Sequence, residues 1–397
     1  MKALLTTGLI ILLLLASNKN GHAQVWSSND IPGVSSVSCI ALSADGTKMF
    51  AGVNSTNTIF ISTNSGVTWS STGATLHGGY WAGIAASADG SRLIAAADAG
   101  GVYTSTDGGA NWFSNNMPAA SRWDFVAITP DGTKMVAAAG YNTEPICVST
   151  NSGNTWTQTS APIGQWISVA MSADGSVLLA GSFSGIPYLS TDSGTTWSPQ
   201  TNLPTGSWCS MAESTDGNKL IAAAYWIGSG SGPSRIYIST NRGNVWTPTS
   251  QPTNMYLARF CASADGSKLT AMGYASIFHS ADFGNTWSSN GLPQLNAKWT
   301  GMTCSADGNK LALVGGYSAD IFLAWWPPRP QVNLGLKGNK LTFSWLVPST
   351  NFVVQQSSDL ISWSGITDAP TLNLTNLNNE VSLSPANGSG FFRLMSQ

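Results

Sequence analysis

The sequence predicts an all-β fold, a seven-bladed β-propeller closed by its N-terminal strand (three strands plus one) and followed by a small β-sandwich. Two recurring phrases in the 397-residue chain carry this prediction. An eight-residue phrase ending in tryptophan occurs six times, and a four-residue phrase ending in Asp-Gly occurs seven times. The tryptophans follow one another at intervals of 41 to 49 residues. Such a period, rich in glycine and aromatic residues, is typical of proteins in which each repeat is one small sheet.

The Asp-Gly phrase stands between the first two strands of each repeat. Its copies are SADG at 43–46, 87–90, 172–175, 263–266 and 305–308, TPDG at 129–132 and STDG at 214–217. The segment before it is apolar on both faces, as in 81–86 and 166–171, which predicts a strand covered on both sides. The Asp-Gly pair favours a tight hairpin, since glycine accepts a positive φ.

The tryptophan phrase stands between the third and fourth strands. Its copies are STNSGVTW (62–69), STDGGANW (105–112), STNSGNTW (149–156), STDSGTTW (190–197), STNRGNVW (239–246) and SADFGNTW (280–287). We expect its Asn or Asp side chain to accept backbone N–H groups in the turn. Each repeat is therefore predicted to be a four-stranded antiparallel meander.

The mismatch between seven hairpin phrases and six tryptophan phrases predicts how the ring closes. The seventh repeat reaches a third strand at 321–324 and then runs into Pro327 and Pro328. Trp26 lies one repeat length before Trp69, with no strand ahead of it. The segment around Trp26 is therefore expected to supply the fourth strand of the seventh blade, leaving no free edge.

The tryptophan phrases resemble the Asp-box, or BNR, repeat S/T-x-D-x-G-x-T-W of sialidases and other propellers. The resemblance covers 25–326 and assigns the structural Asp-box position to Asn64, Asp107, Asn151, Asp192, Asn241 and Asp282. It implies that the box lies on the face opposite the usual binding site. Sialidase chemistry, as the family implies it, needs an arginine triad for the substrate carboxylate and a Tyr/Glu nucleophile pair, and sialidases typically carry a Phe-Arg-Ile-Pro segment. That segment is absent, and Ser234-Arg235-Ile236-Tyr237 does not replace it, so the fold is expected without sialidase activity.

Both ends of the chain differ from the repeats. Residues 1–23 read as a signal peptide, with Lys2, an apolar run from Leu9 to Ala16 and small residues before a cleavage site after Ala23. The propeller is predicted over 24–326, a proline-rich linker over 327–330 and a separate module over 331–397. That module is similar to the small fibronectin-III-like sandwiches at the ends of secreted bacterial proteins, on the evidence of FVVQQSSDLISW and GFFRL. A spacer or attachment role is expected for it, with ligand binding as the second possibility.

Composition narrows the function classes. Only 9% of residues are charged and the net charge is −2, which argues against nucleic acid as a partner. No cofactor or metal site is expected, since His77 and His279 are the only histidines beyond the predicted leader.

The five cysteines show no regular pairing and are interpreted mostly as small buried residues, with their pairing state left open. A monomer without a membrane span, secreted or at the cell surface or periplasm, is expected.

Loops joining second to third strands, and fourth strands to the next blade, share one rim of a propeller. Few carboxylates fall there, and the catalytic candidates are Asp98, Asp124 and Glu144. A glycosidase needs two carboxylates that flank the sugar bond, and these three come from neighbouring repeats. The other interpretation is that these three residues are unrelated, solvated acids of the loops.

Aromatic side chains are the stronger signal on that rim. Tryptophan recurs six residues before the hairpin phrase, at Trp81, Trp123, Trp166, Trp208 and Trp299, where packing between blades is the other interpretation. The predicted ligand-binding residues are Trp226, Tyr225, Tyr317, Tyr141, Tyr274, Trp123 and Arg259.

The leading hypothesis is an exported, non-catalytic propeller that binds an extracellular glycan or protein through its loop rim. The alternative is a glycoside hydrolase or lyase acting on an extracellular polysaccharide with the rim carboxylates. A third hypothesis is a scaffold that resembles the BNR-type photosystem assembly proteins. The predicted leader and the C-terminal module argue against this hypothesis.

Overall fold

Seven four-stranded antiparallel sheets form a closed ring in the computed structural model of the chain. The structure describes residues 3–6, 9–13, 25–75, 79–98, 101–118, 122–140, 145–228, 234–251, 259–273, 276–291, 299–315, 320–325, 333–337, 340–346, 352–357, 364–365, 371–373, 378–383 and 390–396. These residues are strands, turns and loops, with no helix among them. The first strand of each blade lies against the first strands of both neighbours all the way round, so the first strands form the centre of the ring.

The strands of each blade follow one another in the sheet in chain order, except in the last. Blades 1 and 2 consist of Val37–Leu42, Met49–Val53, Thr58–Ser62 and Ser70–Thr75, and of Trp81–Ala86, Leu93–Ala97, Gly101–Ser105 and Phe113–Ser114. Blades 3 and 4 consist of Trp123–Ile128, Met135–Ala139, Ile146–Ser149 and Thr157–Gln158, and of Trp166–Met171, Leu178–Ser182, Tyr188–Ser190 and Ser198–Pro199. Blades 5 and 6 consist of Ser210–Glu213, Leu220–Ala224, Arg235–Ser239 and Thr247–Pro248, and of Arg259–Ala262, Leu269–Met272, Ser276–Ser280 and Ser288–Gly291. Blade 7 consists of Trp299–Cys304, Lys310–Gly315, Asp320–Trp325 and the N-terminal strand Val25–Asp30.

The N-terminal strand closes the ring as the sequence predicts. Val25–Asp30 pairs antiparallel with Asp320–Trp325, with Trp26 opposite Ala324 and Asp30 opposite Asp320. The seven-bladed architecture with three-plus-one closure is therefore confirmed.

The core lies between the blades, where the second strands are covered on both faces. Every residue of Leu93–Ala97, Met135–Ala139 and Leu220–Ala224 is fully buried. Alanines on these strands let neighbouring sheets approach, and larger side chains such as Leu93 and Met135 fill the space between them. The ring is thus held together by apolar packing of sheet against sheet.

The Asp-Gly hairpins form one face of the ring, here called the hairpin face. In blade 1 the Asp45 carboxylate accepts the Ser43 hydroxyl at 2.6 Å and the Thr47 backbone N–H at 2.9 Å. These hydrogen bonds, the Ser43 one foremost, lower the pKa of Asp45 to about 2. Gly46 has a φ of 65°, and the glycines of the other six hairpins also have positive φ values. The predicted turn chemistry is therefore present in every blade.

The tryptophan phrases build a second set of turns on the same face. In blade 3, Asn151 Oδ1 accepts the Thr155 backbone N–H at 2.9 Å, and the Ser149 hydroxyl accepts the N–H of Gly153 at 2.9 Å. The Trp156 indole N–H donates to the Gly153 carbonyl at 3.1 Å. The equivalent Asx side chains accept the same backbone bond in the other five copies, at Asn64, Asp107, Asp192, Asn241 and Asp282. Trp246 departs from the pattern, because its indole donates to Gln200 Oε1 at 3.0 Å instead.

The chain divides into two compact units, the propeller unit Gln24–Trp325 and a second unit that consists of Met1–Ala23 and Trp326–Gln397. One of its sheets contains Asn333–Lys337, Lys340–Leu346, Asn378–Leu383 and Thr371–Asn373. The other contains Ala3–Thr6, Leu9–Leu13, Gly390–Ser396, Phe352–Ser357 and Ser364–Gly365. In the uncleaved chain, part of the predicted leader thus pairs with the C-terminal strand, Leu9–Leu13 running parallel to Gly390–Ser396. Cleavage after Ala23 stays a prediction.

Candidate functional site

The face opposite the hairpins, here called the rim, carries the candidate site. Strand order places there the loops that join second to third strands and fourth strands to the next blade. These loops differ in length and sequence between blades, whereas the hairpin face repeats the same turns. Residues that bind a specific ligand are therefore expected on the rim.

An additional two-stranded sheet stands on the rim where blades 4 and 5 meet. It pairs Gly206–Ser207 with Trp226–Ile227, outside the seven blades. The backbone of Gly206 also exchanges hydrogen bonds with Gly185 of blade 4, at 2.8 and 3.1 Å. The Trp208 indole donates to the Gly185 carbonyl at 3.1 Å, which ties this loop to the buried core. The sheet is thus fixed from both blades.

Trp226 belongs to this sheet, Tyr225 precedes it in the chain and Phe183 contacts it, and we call Phe183, Tyr225 and Trp226 the aromatic platform. The rings of Phe183 and Trp226 meet edge to face, with centroids 6.4 Å apart and planes at 87°. Phe183 is 48% exposed and Tyr225 is 40% exposed, while Trp226 is half-buried. The backbone of Tyr225 is held by its N–H to Ser207 at 2.8 Å and by the Ser234 hydroxyl on its carbonyl at 2.6 Å. The platform therefore presents aromatic surface on a fixed backbone.

Two of the predicted carboxylates meet at the junction of blades 2 and 3. Arg122 lies between them, with its Nε 2.6 Å from Asp124 Oδ1 and an Nη 3.5 Å from Asp98 Oδ2. The Asp124 side chain is 9% exposed and the Asp98 side chain is 23% exposed. Burial raises the pKa of Asp124, while the hydrogen bond and positive charge of Arg122 act in the opposite direction. The sequence predicts that the two acids can converge, but not that the arginine lies between them.

The remaining predicted residues fall into two groups. Trp123 is 3% exposed and packs in the core with Ala137 and Cys147, and Trp81, Trp166 and Trp208 are equally buried. These tryptophans pack between blades, so the indole of Trp123 does not reach the rim surface. Arg259 is also built into the ring, since its Nε donates to the Thr300 carbonyl of blade 7 at 2.9 Å. The other predicted residues lie outside the described residues, namely Glu144, Tyr141, Tyr274 and Tyr317.

Two acidic features are not among the predicted site residues. Asp30 and Asp320 face each other across the closing strand pair, and a hydrogen bond between their carboxyl groups is the main cause that raises the pKa of Asp30. In blade 5, both carboxylate oxygens of Glu213 are buried without a hydrogen-bond partner. Burial, and secondarily the charge of Asp174, raises the pKa of Glu213 well above its usual value. The signal for Glu213 was present in the sequence, because the equivalent residues are apolar, namely Leu42, Ala86, Ile128, Met171, Ala262 and Cys304.

Within the described ranges, no three His, Cys, Asp or Glu side chains cluster closely enough to hold a metal ion. Across the same part of the chain, no helix has the length and apolar character needed to cross a membrane.

The chain matches no family model and no curated protein. It does resemble solved propeller structures. "YCF48 bound to D1 peptide" is 17% identical with a TM-score of 0.57, covering 76% of this chain and 97% of that one. YCF48 from Cyanidioschyzon merolae is 15% identical with a TM-score of 0.57, covering 76% and 98%. Virginiamycin B lyase from Staphylococcus aureus is 15% identical with a TM-score of 0.61, covering 76% and 99%. At these identities the likeness shows the propeller fold and leaves the activity open.

Proposed function

We propose that this chain is a non-catalytic binding protein that takes a glycan or protein ligand on the aromatic platform. The observation that carries the proposal is the edge-to-face pair of Phe183 and Trp226, held beside the exposed Tyr225 on the additional sheet. Aromatic rings with a polar edge stack on sugar rings and on apolar peptide side chains at low cost in conformational entropy. The solved structure of YCF48 with a D1 peptide supports the peptide case by fold likeness alone.

Rigidity supports binding as the role of this surface. Hydrogen bonds from blades 4 and 5 fix Gly185, Gly206 and the backbone of Tyr225 before any ligand arrives. A surface fixed in advance loses less conformational freedom on binding than a flexible loop does. The stability of the fold does not require this exposed aromatic area, and ligand binding is the role that we propose for it.

The test compares variants on a glycan array and in a pull-down from the extracellular material of the source cells. Trp226→Ala and Tyr225→Ala are expected to lose at least tenfold in binding. Phe113→Ala is the matched control, because Phe113 is 61% exposed and opens the fourth strand of blade 2 beside the hairpin face. Equal binding by all three variants and the wild type would exclude the platform as the binding surface.

Export and surface attachment belong to the same proposal. The leader pattern in 1–23, the six Asp-box-like phrases and the fibronectin-III-like pattern in 331–397 support an exported Asp-box protein with a spacer or attachment module. Expression with the full leader in a bacterial host, followed by intact-mass measurement, tests the first point. A mature protein that begins at Gln24 is expected, and retention of Met1 in the exported fraction would contradict it.

A second candidate function is hydrolysis of a polysaccharide by Asp98 and Asp124. Their convergence, and the raised pKa of Asp124, favour it, since a glycosidase needs one protonated and one ionised carboxyl group. The Arg122 guanidinium occupies the space between the two carboxylates, which favours a structural cluster instead. Release of reducing sugar from a polysaccharide panel by the wild type, and its loss in Asp124→Asn, would establish hydrolysis.

A further inference from the structure

The first strands of blades 6 and 7 bring two thiols together near the centre of the ring. Cys261 lies on Arg259–Ala262 and Cys304 ends Trp299–Cys304, and these strands lie against each other. The Cys304 thiol donates to the carbonyl of Ala262, the residue after Cys261, at 3.3 Å. Burial, and secondarily a hydrogen bond with the Cys304 thiol, raises the pKa of Cys261 well above its usual value. Both cysteines are half-buried and carry free thiols.

The pair is specific to this junction. The residues in register with Cys261 are Ala41, Ala85, Ala127, Ala170, Ala212 and Thr303. Those in register with Cys304 are Leu42, Ala86, Ile128, Met171, Glu213 and Ala262. Alanine stands at five of the six positions in register with Cys261 and at two of the six in register with Cys304, so the fold does not require a thiol at either position. Two cysteines at one inter-blade contact therefore call for a chemical explanation.

We propose that Cys261 and Cys304 form a reversible disulfide that ties blade 6 to blade 7. The oxidant is a small-molecule disulfide such as glutathione disulfide. One cysteine thiolate attacks a sulfur of the oxidant, forming a mixed disulfide and releasing one thiol. The second cysteine then attacks its partner's sulfur and releases the second thiol, so that two protein thiols are oxidised and one disulfide is reduced.

The position of this bond gives it a consequence for ring closure. Blade 7 is completed only by hydrogen bonds from the N-terminal strand Val25–Asp30. A covalent bond between blades 6 and 7 keeps blade 7 docked when that strand detaches. The cross-link does not involve the rim ligand, and an oxidising compartment outside the cell would favour the bond.

The experiment treats the purified full-length protein with glutathione disulfide, then counts thiols after denaturation and maps the cross-linked peptides. The count is expected to fall from five to three, with Cys261 joined to Cys304. Oxidation is expected to raise the unfolding midpoint by about 5 °C. Cys304→Ala and Cys261→Ala remove both effects and are expected to fold, given the alanines in register. Cys209→Ala is the control that retains the cross-link. Five persisting thiols, or a cross-link between other cysteines, would overturn the proposal.

Discussion

The backbone N–H of Ala306 in blade 7 donates to the carbonyl oxygen of Ala44 in blade 1 at 2.8 Å. Equivalent residues make the same bond around the hairpin face, from Ala44 to Ala88, Ala88 to Pro130, Ala173 to Thr215, Thr215 to Ala264 and Ala264 to Ala306, at 2.7 to 3.2 Å. Each bond joins the second residue of one hairpin phrase to that of the next blade. One link is missing, from Pro130 to Ala173, because proline has no backbone N–H.

Replacing Pro130 with alanine is expected to complete this circle of hydrogen bonds. The new amide faces the Ala173 carbonyl in the arrangement that the other six links show. The gain of about 1 kcal/mol from the bond is largely offset by the greater freedom of the unfolded chain without proline. Stability is therefore expected to change little, whereas the new amide should exchange with deuterium as slowly as that of Ala88. Fast exchange at residue 130 beside a protected Ala88 would contradict the completed circle.

Strain in the tryptophan phrases yields a second prediction. The residue before the phrase glycine is left-handed in every copy, with φ values of 58° at Ser65 and 59° at Ser193 and Phe283. Blade 2 carries Gly108 at this position, with a φ of 70°. Ser193→Gly is expected to stabilise the protein by about 0.5 kcal/mol, because the relief of strain exceeds the extra chain entropy of glycine. Gly108→Ser is the reverse control and should destabilise by a similar amount in urea denaturation. A stabilising Gly108→Ser would refute this interpretation.

The parts of the fold that repeat could be predicted from the sequence, and the parts that depend on single contacts could not. The recurrence of Trp69 and its equivalents predicts the order of the strands in each blade. The spacing of Trp26 from Trp69 predicts that the N-terminal strand closes the ring. The left-handed residue of the tryptophan phrase was missed because serine, arginine and phenylalanine there share no chemical signature. Arg122 lies between Asp98 and Asp124 because of the directions that their side chains take at the ends of two loops. The spacing of the sequence repeats does not predict those directions.

The Arg122 cluster makes a third prediction. Arg122→Met leaves the buried carboxyl of Asp124 without its counter-charge, so a loss of about 2 kcal/mol is expected at neutral pH. Burial already raises the pKa of Asp124, and removal of the arginine raises it further. The loss should shrink as pH falls toward 4, since a protonated Asp124 needs no partner. In an Asp124→Asn background the same substitution should cost much less, and an equal cost in both backgrounds would show that the pair is not coupled.

Glu213 should make the protein less stable as pH rises. Its carboxylate oxygens are buried without a hydrogen-bond partner, and burial raises its pKa well above the ordinary 4.5. Well below pH 4.5 the group is protonated in both the folded and the unfolded state, so its ionisation does not affect stability. Above that pH the unfolded chain ionises first, so the folded state loses up to about 1.4 kcal/mol per pH unit until the folded pKa is reached.

Glu213→Met removes the titrating group. Methionine already stands at the equivalent position of blade 4, as Met171. The free energy of unfolding of this variant is expected to exceed that of the wild type by a larger margin at pH 8 than at pH 4. Glu213→Gln separates charge from packing, because it removes the ionisation but leaves a buried polar group. Urea denaturation at pH 4, 6 and 8 measures all three proteins. If the stability difference between Glu213→Met and wild type stays constant across that range, Glu213 is ionised in the folded protein and the buried neutral acid is excluded.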